Sequence, residues 1–596
     1  MILTKLAVYF IRNVGLDTFR SKPKARILRS VSIFLAITVL ISLTYTYSII
    51  LDKYPRREII NEINSFAADD SLDVVNSEDL NLHQSKTVNS DIIQYVKESS
   101  GLSATILKDN YKETSFSIFL SEEDSEECRS LRVDETISFN KYSPFKEDID
   151  EVIKVLQHQL VNDEAFRDIA RLFEGQIPLL IKEGTVTNHF FQLMGTSVWL
   201  KEYEVHLMVS RVLYTKGNNR SKSKVSLLYG QIFNKDWEHM NNFNLKVPSS
   251  FGGNRTMNFP SFIPIPFFYS DKGMFFGPED GRLLLVQNEY GFEEPVLIFN
   301  SITILTSIND EGRKKEQGLR AMFIAWLFQT QTGKVNTDGN NDARFDNITY
   351  VKVRRLSITG ENQPRREKNW TPFVDPRERN PSDRNLYLVY DWNNLQVLKC
   401  QLSDLTSDYI SRCERYYAQS KQSRIGPIRG GTELIPLSTV FETRSQAWVG
   451  FVRSHFVRCG CAKAWYRPHF VLLQRNEDKF RVTHMSAPIS FNIPAKPLDG
   501  SVRACGEKDA NVLMANGISH WKVDSETGSD YLTLTFSADD KGNILLHVKD
   551  FGKIIERLDL EVAWDTPINR MRECVVKDSK DICEADGIEM KRLGIY

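Results

Sequence analysis

The sequence predicts a mainly β protein, because short strand-like segments follow one another with little helix between them. From residue 191 onwards, these segments are rich in β-branched and aromatic residues, as in YEVHLMVSRVLY, ITYVKVRRLSI and YLTLTF. Gly, Pro, Asn and Asp separate them, and alternating βαβ units are disfavoured. Roughly 400 residues of this kind are typical of a β-propeller or a pair of β-sandwiches. A propeller would gather loops from successive blades around one axial pocket.

The amino terminus predicts a membrane anchor. Residues 1–29 form a tail with seven Lys or Arg and one Asp, and the uncharged segment 30–51 follows. This segment can cross a bilayer core of about 30 Å at roughly 1.5 Å per residue. The positive tail stays in the cytosol, which places the rest of the chain in the lumen as a single-pass type II membrane protein. A cleaved signal peptide is the alternative, but no small-x-small cleavage site follows the apolar run.

All eight cysteines lie after the predicted anchor, which is consistent with a lumenal chain. They are Cys128, Cys400, Cys413, Cys459, Cys461, Cys505, Cys574 and Cys583. An even number of cysteines in an oxidising compartment predicts disulfides. A single Gly separates Cys459 from Cys461, so each is expected to have a distant partner. A zinc site is the alternative, although no paired CxxC motif supports it.

Two regions precede the strand-rich part of the chain. Residues 52–107 have the polar, aromatic-poor composition of a stem. A helical or mixed extension is predicted over 108–190, with its clearest helix from about Phe145 to Glu174. Asp148 and Asp150 match the DxD signature of metal-dependent nucleotide-sugar transferases. Residues two apart on a helix point in different directions, so we assign this pair to a solvated helix face.

The turn GPEDGR, residues 277–282, is the polar segment that packing explains least well. Two adjacent carboxylates, Glu279 and Asp280, precede Arg282, and an apolar strand follows directly. The flanking glycines permit backbone conformations that other residues avoid, and loops entering strands often carry functional groups. A structural alternative is that Asp280 caps its own turn while Arg282 pairs with a carboxylate.

Other cations lie at strand edges beside polar or aromatic residues. They are Arg211 in MVSRVLY, Lys368 with Asn369 and Trp370 in EKNWTPF, Arg429 in IRGGTELIPL, Arg453 with His455 in GFVRSHF, and Tyr466 with Arg467 and His469 in WYRPHF. If they converge, the pocket suits a phosphate-bearing ligand bound through guanidinium groups. Trp370 and Tyr466 could stack on a sugar face.

Each of these residues also has a structural interpretation. The arginines Arg211, Arg453 and Arg467 could form ion pairs at the surface or between blades. His469 is expected to be a buried histidine, and Trp370 could be a core residue. The two glycines of IRGGTELIPL could simply form a β-turn.

The sequence resembles the fungal β-1,2-mannosyltransferases in the order and spacing of its motifs. These motifs are the late anchor, GPEDGR, KNWTPF, IRGGTELIPL, and the pair RSHF and YRPHF on either side of CGC. These transferases are membrane-anchored enzymes of the secretory pathway that add β-mannose to cell-wall mannan and related glycans. The resemblance extends from about Phe190 to past His469. The ED-x-R turn and the Lys-Asn motif are also similar to those of the β-1,2-mannoside phosphorylases, which fold as five-bladed propellers. Those enzymes usually have Pro where this chain has Gly281.

The resemblance implies a five-bladed β-propeller catalytic domain over residues 191–596, lumenal and located in the Golgi. It implies inverting transfer of mannose from GDP-mannose to mannan or oligomannoside acceptors in β-1,2 linkage. Asp280 is the expected catalytic base, acting directly or through an acceptor hydroxyl. The expected substrate-binding residues are Glu279, Arg282, Arg211, Lys368, Asn369, Trp370, Arg453, His455, Tyr466 and Arg467. No cofactor is expected, and no divalent metal is expected to be essential.

Two other functions stay open from the sequence. The chain could be a β-mannoside phosphorylase or hydrolase that uses the same pocket, or a non-catalytic lumenal glycan-binding protein. The secretory anchor favours synthesis over degradation. Nucleic-acid binding is disfavoured, because the chain beyond its tail is net acidic and has no basic patch with interleaved aromatic residues.

Overall fold

In the computed structural model of this protein, the described residues all belong to the unit Ser90–Tyr596. The described residues are 94–95, 102–121, 127–217, 219–248, 254–270, 273–308, 314–338, 343–362, 364–402, 410–419, 428–443, 445–494, 506–538, 542–560, 564 and 569–593. The predicted tail (1–29), the predicted anchor (30–51) and most of the predicted stem (52–107) lie outside them. Within these ranges, no helix is both long enough and apolar enough to span a bilayer.

Strands dominate the described part of the chain, as predicted. In chain order they are β1 (Gln94–Tyr95), β2 (Lys112–Leu120), β3 (Arg132–Phe139), β4 (Ser143–Pro144), β5 (Phe190–Leu200), β6 (Val205–Thr215), β7 (Ser223–Phe233), β8 (Phe243–Pro248), β9 (Asn254–Phe259), β10 (Ser261–Phe262), β11 (Glu279–Gln287), β12 (Glu293–Ile308), β13 (Lys314–Thr332), β14 (Thr349–Ile358), β15 (Thr371–Phe373), β16 (Asn385–Asp391), β17 (Gln396–Gln401), β18 (Ile410–Ala418), β19 (Ile428–Gly430), β20 (Ile435–Pro436), β21 (Phe441–Glu442), β22 (Gln446–Cys459), β23 (Ala462–Asn476), β24 (Lys479–Ser486), β25 (Gly506–Val523), β26 (Asp530–Ala538) and β27 (Asn543–Lys549).

The helices are fewer and mostly short. The α-helices are α1 (Ala104–Lys108), α2 (Ile149–Asn162), α3 (Glu164–Arg167), α4 (Ile177–Glu183), α5 (Val335–Asp338), α6 (Phe551–Arg557) and α7 (Asn569–Arg592). Single 3-10 segments cover Asp168–Phe173, Val186–Asn188, Arg220–Lys222, Ala343–Phe345, Pro376–Glu378 and Leu437–Thr439.

The larger sheets are built from antiparallel runs of consecutive strands. One sheet has the order β10-β7-β6-β5, and a second has the order β11-β12-β13-β14-β18-β17-β16-β15. In the second sheet, two antiparallel groups meet at the parallel pair β14 and β18. A third sheet has the order β19-β22-β23-β24-β2-β3-β27-β26-β25, and its last strand, β25, also pairs in parallel with β23. The edge strand β5 contacts β11 and β25, and β11 contacts β15.

Two strands from the predicted extension belong to the largest sheet. Strand β2 pairs with β24, and β3 pairs with β27, so residues 112–139 join strands that lie near the carboxyl end. The apolar core beneath this sheet includes Phe451, Phe470 and Phe536, each fully buried. Burying an aromatic side chain of this kind stabilises a fold by roughly 1.5–3 kcal/mol.

The predicted continuous helix over 145–174 is wrong in its length. Helix α2 ends at Asn162 because Asp163 accepts a hydrogen bond from the Ala165 amide at 3.0 Å and begins a new helix. Asp148 is the amino-terminal cap of α2, and its Oδ1 accepts hydrogen bonds from the amides of Asp150 and Glu151. One carboxylate of the DxD match therefore has a structural role in this helix.

Helix α7 was not predicted from the sequence. Its buried residues Met571, Cys574, Val575 and Cys583 recur at helical spacing, but frequent charged residues between them obscure the pattern. Disulfides join α7 to two distant segments, through Cys128–Cys574 and Cys459–Cys583. A third disulfide joins Cys400 to Cys413, and Cys461 is also disulfide-bonded. These bonds confirm the predicted disulfides and contradict the alternative zinc site.

Candidate active site

The GPEDGR turn is fixed against two neighbouring strands. Ser226 Oγ of β7 donates to the Pro278 carbonyl at 2.5 Å, and Ser301 Oγ of β12 donates to the Gly277 carbonyl at 3.1 Å. Gly277 has φ of +87°, and a Cβ atom there would lie 2.1 Å from the Ser226 carbonyl oxygen. Only glycine fits this position, so the turn and β7 approach each other closely.

The backbone at Asp280 adopts an unusual conformation. Its φ is +53°, in the left-handed region that residues other than glycine seldom occupy. The pairing of β11 with β12 shifts register between Glu279 and Arg282, which is a β-bulge. Bulges re-aim side chains, and non-glycine residues held in the left-handed region concentrate at functional sites.

The Glu279 carboxylate is held by two arginines. Arg211 lies 2.8 Å from one oxygen, and Arg320 forms an ion pair with the other. Arg320 also donates to Asn300 Oδ1 at 2.6 Å. The Glu279 side chain is only 7% exposed. This placement favours a role in positioning the two arginines over the expected contact with sugar hydroxyls.

Asp280 is the more accessible of the two carboxylates, with 23% of its side chain exposed. Arg211 Nη1 lies 3.2 Å from its Oδ1, and Arg211 Nε donates to Ser226 Oγ at 2.9 Å. Burial alone would raise the pKa of Asp280, but the charges of Arg211, Arg453, Arg282 and Lys368 hold this pKa below its ordinary value. Asp280 is therefore an ionised carboxylate that a ligand can reach.

Arg282 connects the turn to the segment around β19. Its Nε donates to the Gly431 carbonyl, and its Nη1 donates to the Gly281 carbonyl at 2.6 Å. Burial, with a further contribution from Arg453, lowers the pKa of Arg282 to about 10, so the side chain stays charged at neutral pH. A Cβ atom at Gly430 would lie 2.4 Å from the Asn369 carbonyl oxygen. The glycines of IRGGTELIPL therefore permit close backbone approach, beyond forming a turn.

The KNW segment contributes its residues unequally. Asn369 has φ of +62°, and its Oδ1 accepts a hydrogen bond from Arg453 Nη2 at 2.8 Å. Lys368 is near enough to Asp280 to lower the pKa of that carboxyl. Trp370 is only 3% exposed, and its indole Nε1 donates to Glu367 at 3.1 Å. Trp370 is thus a core residue, and its ring faces are covered by protein.

Strands β22 and β23 place their predicted residues on opposite faces. His455 lies opposite Tyr466, and Arg453 lies opposite both Pro468 and Arg429. Because opposed residues and those two positions away share a face, Arg429, Arg453, His455 and Tyr466 lie on one side.

Arg467 lies on the other side of β23. Its Nη1 donates to Asn511 Oδ1 at 2.8 Å, and its Nη2 lies 3.3 Å from Asp586 of α7. The sequence grouped it with Tyr466, but adjacent strand residues alternate in direction. His469 is buried as expected, with Nδ1 2.9 Å from the Ser486 carbonyl oxygen.

Sequence reasoning missed Arg320 and Glu433. Arg320 lies within the 19-residue strand β13, where no turn motif marks it. Glu433 is 1% exposed, and its Oε1 accepts a hydrogen bond from the Ile518 amide at 2.7 Å. Burial raises the pKa of Glu433 to about 8, although Arg282 opposes this shift. An acidic residue within IRGGTELIPL was the available signal for Glu433.

Together, these side chains form a cationic cluster around two carboxylates. We use this name for Arg211, Arg282, Arg320, Lys368, Arg429 and Arg453, which are linked by the contacts and electrostatic interactions around Glu279 and Asp280. Six cations against two carboxylates favour binding of a polyanion such as a diphosphate. Among the described residues, no group of three or more His, Cys, Asp or Glu side chains is arranged to hold a metal ion.

Comparison with known proteins identifies the family. The family model of the beta-mannosyltransferases matches residues 127–582. Beta-mannosyltransferase 6 of Candida albicans is 38% identical, over 86% of this chain and 83% of the relative. Beta-mannosyltransferase 4 of the same organism is 36% identical, over 85% of this chain and 70% of the relative.

Solved structures show weaker likeness. A mannose phosphorylase from Leishmania mexicana is 10% identical with a TM-score of 0.32, over 63% of this chain and 90% of that one. A GDP-Man-dependent mannosyltransferase from the same organism is 8% identical with a TM-score of 0.29, over 64% and 88%. Scores this low do not establish a common fold. The match of the family model and the identity to the two Candida enzymes are decisive, and this chain belongs to the beta-mannosyltransferase family.

Proposed function

We propose that this chain transfers mannose from GDP-mannose to a mannoside acceptor in β-1,2 linkage, with inversion at the anomeric carbon, in the synthesis of cell-wall mannan or a related glycan. The observation that carries the proposal is the position of Asp280, an accessible ionised carboxylate within the cationic cluster. A base beside a polyanion-binding cluster is what direct displacement of a nucleoside diphosphate requires.

The proposed reaction is a single displacement. The acceptor oxygen attacks the anomeric carbon from the face opposite the diphosphate, and the bond from that carbon to the phosphate oxygen breaks. The proton of the acceptor hydroxyl passes to the Asp280 carboxylate, directly or through a neighbouring acceptor hydroxyl. An α-linked donor thereby gives a β-linked product and GDP.

The cationic cluster would stabilise the leaving group. Charge builds up on the diphosphate as the bond breaks, and fixed guanidinium and ammonium groups meet that charge without reorganising. The diphosphate in turn would offset the charges of Arg453 and Lys368, which lower the pKa of Asp280. Asp280 would therefore become a stronger base once the donor is bound.

The strand order supports a five-bladed propeller as the architecture. Five successive groups of four strands are β5–β7 with β10, β11–β14, β15–β18, β19 with β22–β24, and β25–β27 with β3. The first strand of each of the first four groups is an edge strand, and β25 ends the order of its sheet, although it also pairs with β23. Strands β5, β11, β15 and β25 contact one another in part, as the inner strands of a propeller do. Strand β3 would close the ring. We further propose a type II membrane protein, on the basis of the sequence of residues 1–51, and a location in the Golgi, on the basis of the resemblance to the fungal β-1,2-mannosyltransferases.

The test compares the full chain with its Asp280→Asn variant. Each is incubated with GDP-mannose and a panel of α- and β-mannosides, and the product linkage is read by NMR. Asp150→Asn, which changes the other carboxylate of the DxD match, is the matched control and should retain activity. A β-1,2 product from wild type and Asp150→Asn, and none from Asp280→Asn, supports the proposal. Mannose 1-phosphate formed only from β-mannoside and phosphate would show the degradative reaction instead.

A further inference from the structure

A stacked pair of aromatic rings adjoins the cationic cluster. His455 of β22 and Tyr466 of β23 lie opposite each other, with ring centroids 4.3 Å apart and ring planes within 8° of parallel. Arg453 is two residues before His455 on the same face, a separation of about 7 Å along the strand. The pair therefore continues the surface formed by Arg429 and Arg453.

The two rings differ in their surroundings. Tyr466 packs against an apolar cluster that contains Leu193, Val512 and Met514. His455 covers Tyr466, and both residues keep part of their surface accessible to solvent. Burial, with the charges of Arg429, Arg453 and Lys368, lowers the pKa of His455 to about 4. The imidazole is therefore a neutral flat ring at neutral pH.

Arg453 connects the two parts of the site. It donates to Asn369, the residue after Lys368, and it lies two residues before His455 on the same face of β22. The charges of Arg453 and Lys368 also affect the pKa of both Asp280 and His455. We therefore place these two cations between the carboxylate and the aromatic pair. A nucleotide sugar has the same order, with its sugar, diphosphate and nucleoside in succession.

We propose that the stacked pair of His455 and Tyr466 is the nucleobase subsite of the donor site, where the flat base of a nucleoside diphosphate lies against the imidazole. This inference rests on the proposed function, because it takes the donor to be a nucleotide sugar. The diphosphate contacts Arg453 and Lys368, and the sugar extends towards Asp280. A base stacked on an aromatic side chain contributes affinity without charge, so its contribution can be measured apart from that of the cations.

The test measures binding of GDP and of inorganic pyrophosphate to the full chain in detergent, by isothermal titration calorimetry without acceptor. For His455→Ala, we expect GDP affinity to fall by roughly 10-fold or more, while pyrophosphate affinity changes by less than about twofold. His455→Phe keeps a flat ring and should restore most of the GDP affinity. His158→Ala is the matched control, because His158 is exposed on α2.

Three results would overturn the subsite. These are unchanged GDP affinity in His455→Ala, equal weakening of GDP and pyrophosphate, or wild-type affinity for GDP no greater than for pyrophosphate. Failure of the proposed function gives a different result, because binding is measured without turnover. Ring-dependent GDP binding by a chain that transfers no mannose would retain the subsite and refute the transfer reaction.

Discussion

Replacing Glu433 with Gln should stabilise the protein at neutral pH. The carboxyl is 1% exposed, and burial raises its pKa from 4.5 to about 8. At pH 7 the folded chain holds Glu433 protonated, whereas the unfolded chain ionises it. Gln has the same shape without an ionisable group, and its oxygen can still accept the hydrogen bond from the Ile518 amide.

The magnitude follows from linkage between protonation and folding. Because the pKa of Glu433 is higher in the folded chain than in the unfolded chain, this group favours folding most below pH 4.5. Its contribution to the free energy of unfolding then falls as the pH rises towards 8. Each pH unit in that window changes the free energy of unfolding by about 1.4 kcal/mol. At pH 7 the accumulated cost is about 3 kcal/mol. Glu433→Gln should recover most of that cost at pH 7 and almost none at pH 4.5.

The assay is urea unfolding of wild type and Glu433→Gln at several pH values between 4.5 and 8. The difference between the two chains isolates this carboxyl, because all other titrating groups are common to both. Glu289→Gln is the control, since Glu289 is exposed and its substitution should leave the difference near zero throughout. A Glu433→Gln difference that does not vary with pH would refute the reasoning, and would show that Arg282 keeps Glu433 ionised in the fold.

Three further predictions concern the ion pairs, the disulfides and the pH dependence of catalysis. Arg320→Ala removes one ion-pair partner of the buried Glu279, so urea unfolding should show a free energy of unfolding lower by about 3 kcal/mol. Arg592→Ala removes an exposed ion pair and should leave the free energy of unfolding unchanged. The double variant Cys128→Ser with Cys574→Ser opens a crosslink between residues 446 apart and should lose more stability than Cys400→Ser with Cys413→Ser, whose cysteines are 13 apart. Equal losses in melting temperature would contradict that ordering. Because the pKa of Asp280 is lowered below 3.8, kcat/KM measured against pH should show no acid limb near pH 5 to 6 from this residue, in contrast to a carboxyl of raised pKa.

Local patterns predicted the strands and much of the candidate site. Alternating and β-branched segments marked β6, β14 and β26, and the unusual composition of the GPEDGR turn marked Asp280 before its φ of +53° was known. The sequence also grouped Arg211, Asn369 and Arg453 with that turn, and the structure places Arg211 3.2 Å from Asp280 and Asn369 2.8 Å from Arg453. These features depend on residues close together in sequence.

Features that depend on long-range contacts were not predicted. Arg467 looked equivalent to Tyr466 in the sequence, but strand alternation directs it to Asp586 on a helix that was itself missed. Arg320 joins the cluster only through the register of β12 with β13, which aligns it with Ile302. For Trp370 the sequence allowed either a core position or a sugar-stacking position, and the contacts of its ring with Glu367 and Tyr390 assign it to the core.

The most direct test of the account is single-turnover transfer from GDP-mannose by wild type and Asp280→Asn, with donor affinity measured in parallel. Asn retains the shape of Asp but cannot accept the proton, so we expect transfer to fall by roughly 100-fold or more, with donor affinity kept within about threefold. Transfer by Asp280→Asn at the wild-type rate, with the same β-linked product, would contradict the assignment of Asp280 as the base.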